Sequence, residues 1–101
     1  MKRRWMRRKL RIPTREGLRE ITVGDSHQAS LVGRYWNAVK RYLETGDASG
    51  LRQFEGQYVT DINDRRFPFL TKRVPFLTDL QELDRLGNAG VLSFETIYAK
   101  G

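Results

Sequence analysis

The sequence predicts a single small α+β domain. It has one long amphipathic helix, a small β-hairpin or sheet and short helices, preceded by a flexible basic N-terminal arm. Three observations predict this. Apolar residues recur at steps of three and four from Ala29 to Leu43, the spacing of a helix with one buried face. Residues 57–62 alternate with a period of two, the spacing of a strand. Residues 2–11 are crowded with Lys and Arg and contain no acid.

Charge sets the first division of the chain. Lys2, Arg3, Arg4, Arg7, Arg8, Lys9 and Arg11 are seven of the 19 basic residues. The other 12 balance the 12 acidic ones, so the net charge of +7 belongs to the arm. Residues 1–13 are read as that arm and residues 14–101 as one compact domain. A length of 101 residues suits one domain, burying roughly 65% of its unfolded surface. With 39% hydrophobic and 11% aromatic residues, it has the means to form a core.

Composition also excludes chemistry. The chain has no cysteine, which removes disulfides, thiolate catalysis and thiolate metal sites. An intracellular, cytoplasmic setting fits that absence. No apolar run approaches the roughly 20 residues of a membrane span. The basic start is not followed by an apolar segment, so secretion through a signal peptide is not expected.

Taken in order, Pro13 and Gly17 stop any helix begun in the arm. Glu20 to Val23 reads as a short strand ending at Gly24. Asp25 and Gln28 have the spacing of a capping box, and the helix they open should run from Ser26 to Thr45, closed by Gly46. Its outer face carries Arg34, Asn37, Lys40, Arg41 and Glu44. Asp47 can cap a short helix over residues 48–54 that turns Leu51 and Phe54 inward, although Gly50 weakens it. The strand at 57–62 is followed by the turn signal Asn63-Asp64 and a return strand at 65–70, held to an edge by Pro68. Pro-Phe-Leu-Thr occurs at 68–71 and again at 75–78, too short an echo for a repeat architecture. Thr78 is the expected cap of a helix over 79–86, with Gln81 as its partner and Leu80, Leu83 and Leu86 inward. A last short helix from Ser93 would carry Phe94, Ile97 and Tyr98.

The arm is the main functional candidate. Polyphosphate chains carry condensed counterions, and a basic partner gains affinity by releasing them. Arg presents a planar fork to phosphate oxygens, and Trp5 can stack on an unpaired base. The expected partner is therefore DNA or RNA. If all seven charges engage a duplex, log K falls against log salt with a slope of about −6. The alternatives are an acidic protein groove, a membrane surface or a solvated tail. Trp5, Met6 and Leu10 give too little apolar area for the membrane reading.

Arg34, Lys40 and Arg41 form a second basic cluster, either a continuation of the arm's track or a solvated helix face. Arg65-Arg66 and Lys72-Arg73 flank the expected hairpin in the order of a winged helix-turn-helix. Only Arg52 in the preceding helix suits a recognition role, so the fit is poor. Phe67, Phe69 and Phe76 crowd a Pro-containing segment and form a candidate protein-docking patch. His27, the sole histidine, lies at a helix start and has no zinc-ligand companions. Asp61, Asp64, Asp79 and Asp84 match no metal-binding spacing. Asp61 and Asp64 read as turn residues. No catalytic set, metal site or cofactor motif is expected.

Gly33-Arg34-Tyr35-Trp36-Asn37-Ala38-Val39 leads on to Tyr42-Leu43-Glu44-Thr45-Gly46-Asp47, and Val91-Leu92-Ser93-Phe94-Glu95-Thr96-Ile97-Tyr98 follows near the end. This pair of stretches resembles a group of small uncharacterised proteins encoded by actinobacteria and their phages. The resemblance covers roughly residues 14 to 100 and leaves the arm outside. It implies a bacterial host or phage-particle setting and brings no assigned activity. The sequence thus leads to a non-enzymatic nucleic-acid-binding accessory protein. The alternative is an assembly subunit of a phage or ribonucleoprotein complex whose arm docks in an acidic groove.

Overall fold

The first strand, β1, runs from Arg8 to Thr14. Charged and apolar residues alternate there, and Leu10 and Ile12 lose nearly all contact with solvent. The structure, a computed structural model, describes residues 8–62 and 72–92. Residues 8–13, read from sequence as part of a flexible arm, are therefore a core strand. The basic side chains border it while its apolar ones anchor it.

β1 pairs antiparallel with β2 (Gly17–Val23), from Arg8↔Val23 to Thr14↔Gly17. The loop between them is Arg15-Glu16. Tight two-residue hairpins usually need positive φ at a central residue. Here Gly17 takes it instead, at φ +112°. The Thr14 hydroxyl closes the turn by donating to the Gly17 carbonyl at 2.7 Å.

Helix α1 spans Ser26–Thr45, as its periodicity predicts. Asp25 caps it, accepting from the Gln28 N–H at 2.8 Å. The expected capping box is only half formed, because the Gln28 side chain reaches across to accept from the Thr60 N–H at 3.3 Å. Gly46 ends the helix in the left-handed region and returns its N–H to the Tyr42 carbonyl. Val32, Tyr35, Trp36 and Val39 face the core, as does Ala38.

Helix α2 is only Ser49–Arg52. Gly50 has a packing role there, since a Cβ on it would sit 3.3 Å from that of Ala38. The next strand, β3 (Tyr58–Asp61), pairs antiparallel with β4 (Lys72–Pro75), with Val59 opposite Val74. The partner of β3 is thus 72–75; the return strand expected at 65–70 lies outside the described residues. Helix α3 covers Leu80–Asn88. Its cap is Asp79, which accepts from Gln81 and Glu82, and not Thr78. Leu80, expected to face inward, is exposed, while Leu83 and Leu86 are buried. The helix expected from Ser93 also lies outside the described residues.

The fold is therefore α+β, with one long helix and two small antiparallel sheets. The sheets meet where β2 approaches β3. The Ile62 N–H donates to the Thr22 carbonyl at 2.9 Å. The Thr22 N–H donates to the buried Asp61 carboxylate at 3.0 Å. Asp61, expected in a turn, is instead a strand residue that ties the two hairpins together. Tyr35, Phe54 and Phe76 fill the centre, with ring centroids 4.8 to 5.5 Å apart. The Tyr35 hydroxyl donates to the Leu77 carbonyl at 2.6 Å. Burial pushes its pKa well above the ordinary tyrosine value, partly offset by that bond.

Candidate nucleic-acid interface

Of the residues expected to bind nucleic acid, Lys2, Arg3, Arg4, Trp5 and Arg7 lie outside the described residues. Arg8, Lys9 and Arg11 are on β1, and the strand gives them different fates. Arg8 is exposed at the open end of the hairpin and meets no described acid. Lys9 pairs with Glu20 across the sheet at 3.9 Å. The Arg11 side chain is half-buried, and its carbonyl accepts the Trp36 indole N–H at 2.8 Å. The indole thus fixes the strand on which the arm is rooted.

The cluster on α1 also divides. Lys40 pairs with Glu44 one helical turn on, at 3.7 Å. Arg41 donates to Asp47 at 2.9 Å. Hydrogen bonds from the Ser49 hydroxyl and backbone N–H, then from Arg41, lower the Asp47 pKa to about 2. Arg34 alone of the three is exposed with no described acid beside it.

The body's remaining cations sort the same way. Arg15 bridges Asp79 and Glu82 at 3.4 and 3.5 Å. Arg19 reaches Asp61 at 3.7 Å, and Arg85 pairs with Glu82. Arg52, Lys72 and Arg73 make no ion pair with a described acid. From sequence, Arg52, Lys72 and Arg73 fit a winged motif poorly, and the Lys72-Arg73 pair equally suits protection of an edge strand. The signal that could have singled them out is the scarcity of acids around residues 72–76. Arg73 does have a partner: its guanidinium lies 4.7 Å from the centroid of the Tyr58 ring. Tyr58 is 43% exposed, and no other described aromatic is exposed.

Other candidates fall away. Phe76 is buried in the aromatic core, so it is not a docking residue; Phe67 and Phe69 lie outside the described residues. A four-residue α2 is too short to serve as a recognition helix. His27 is exposed in the first turn of α1. Asp79 is a helix cap, and Asp84 accepts from the Tyr42 hydroxyl at 3.1 Å. No group of His, Asp and Glu among the described residues is arranged to hold a metal ion. An open cleft of about 600 Å³ lies between the β1–β2 turn and the segment leading to α3. Its two arginines, Arg15 and Arg19, are already paired with carboxylates. No described helix is long and apolar enough to cross a membrane. Comparison with family models, curated proteins and solved structures finds no match for this chain.

Proposed function

We propose that this chain is a non-enzymatic nucleic-acid-binding accessory protein whose cationic N-terminal segment lies along the phosphate backbone. The observation that carries the reading is the segregation of charge: the whole excess of +7 lies in residues 2–11. Such contacts supply affinity and orientation with little sequence preference. The ion pairs of the body support it. Lys9, Arg15, Arg19, Lys40, Arg41 and Arg85 all have acidic partners and attract a distant polyanion weakly. Lys2, Arg3, Arg4 and Arg7, with Arg8 at the root of the strand, are the working charges.

Fluorescence anisotropy against duplex DNA, single-stranded DNA and structured RNA tests this. Removing the arm by starting the chain at Thr14 is the wrong comparison, because it deletes β1 and its buried Leu10 and Ile12. Replacing Lys2, Arg3, Arg4 and Arg7 with Ala keeps β1 and its buried Leu10 and Ile12 in the chain. With five charges engaged on a duplex, the slope of log K against log salt should be about −4.5, and the fourfold variant should flatten it by roughly 3.5. Wild-type affinity and slope in that variant would refute the reading.

A further inference from the structure

Tyr58 and Arg73 form an exposed pair on the face of the second hairpin opposite Val59 and Val74. Strand alternation places Tyr58 and Thr60 outward on β3, with Arg73 and Pro75 outward on β4. Neighbouring Val59 and Val74 are buried, which fixes the register and therefore the outward aim of Tyr58. The guanidinium steadies the ring through a cation–π contact, and its charge meets no described acid. This is an exposed aromatic surface beside a cation that no described acid neutralises. An acidic peptide would use the cation and leave the ring idle. A base and its phosphate use both.

We propose that Tyr58 and Arg73 form a stacking platform for one unpaired base of single-stranded nucleic acid. The base covers the exposed side of the Tyr58 ring, and Arg73 takes an oxygen of the adjoining phosphate. Stacking of this kind tolerates any base, because each has a π-face. Paired bases in a duplex keep their faces stacked on one another, so the platform distinguishes single strands from duplexes. This inference rests on the nucleic-acid reading of the arm and names the class of strand.

The test uses the full chain, Tyr58→Ala, Tyr58→Phe, and the fourfold arm variant, titrated with an oligothymidylate and with a duplex of equal length. Tyr58→Ala should weaken single-strand binding about 5- to 150-fold and leave duplex binding unchanged. Tyr58→Phe keeps the ring and should bind as the wild type does. Photocrosslinking of a 5-iodouracil oligonucleotide to the wild-type chain should join it to the peptide holding Tyr58, a readout independent of any variant's folding. Wild-type single-strand affinity in Tyr58→Ala, or crosslinks confined to other peptides, would overturn the platform. If the arm variant then loses its affinity, the arm reading survives alone. If Tyr58→Ala loses single-strand affinity while the arm variant binds normally, the platform stands and the arm reading falls.

Discussion

In the first hairpin, Lys9 meets Glu20, Arg19 meets Asp61, and Arg15 at the turn bridges Asp79 and Glu82. In the second, Lys72 and Arg73 meet no described acid, and Arg73 rests on an exposed tyrosine. The first hairpin is longer, seven paired positions against four, and buries Leu10, Ile12, Ile21 and Val23. Its exposed pairs, Lys9–Glu20 and those of Arg15, are not what holds it, since an exposed pair contributes about 0–1 kcal/mol. Their larger effect is on the field outside the molecule, because they cancel charge that a count of Lys and Arg would credit to binding. Where acids sit in space, and not how many cations a segment has, decides which cations remain available.

The contrast can be broken at several points. The largest expected effect is at Ile12, which is fully buried. Ile12→Ala should cost about 2–5 kcal/mol in urea unfolding, and an unchanged midpoint would remove β1 from the core. Asp61→Ala comes next. It strands the buried Thr22 N–H and should cost about 1–3 kcal/mol. The comparison is Glu20→Ala, which removes only an exposed pair and should stay below about 1 kcal/mol. Equal losses in the two would erase the distinction between a tie that joins the hairpins and one that decorates a surface. Gly17→Ala forces a side chain into positive φ and should cost about 1–2 kcal/mol.

The smallest effect sharpens the account of α1. The Asp47 carboxyl is held at about 2 by Ser49 first and Arg41 second. A folded-state value below the ordinary one means this contribution is complete above the usual carboxylate range. It is lost as pH falls toward 2. In an NMR titration, Ser49→Ala should raise the Asp47 pKa more than Arg41→Ala does. The reverse order would make the ion pair the principal contact.

Helix α1 was legible because periodicity, cap and terminating glycine all point to the same twenty residues. β1 was equally written, in the alternation Lys9-Leu10-Arg11-Ile12, but the density of charge masked a period-two pattern. Asp61 misled for a related reason: a carboxylate in a strand reads as a turn until its partners, Thr22 and Arg19, are brought to it by the fold. The Lys40–Glu44 pair could be read from helical spacing, whereas Arg41–Asp47 required knowing how the chain leaves the helix. Phe76 looked surplus because its ring partners, Tyr35 and Phe54, are distant in sequence. Tyr58 was seen only as part of a strand, since exposure of one face emerges from what packs against the other.

The antiparallel pairing of β1 and β2 also has a mechanical consequence. Both strands have their outer ends at the Arg8↔Val23 pair, so the segment before Arg8 and the chain leading into α1 depart from the same end of the ladder. Tension applied between the segment before Arg8 and the body therefore unzips the hairpin one pair at a time and does not shear seven pairs together. Force is first resisted at Leu10 and Ile12, and by the bond from Trp36 to Arg11. The attachment is built to yield progressively under load, and the Trp36 indole sits where its fluorescence can report the moment the third and fourth pairs let go.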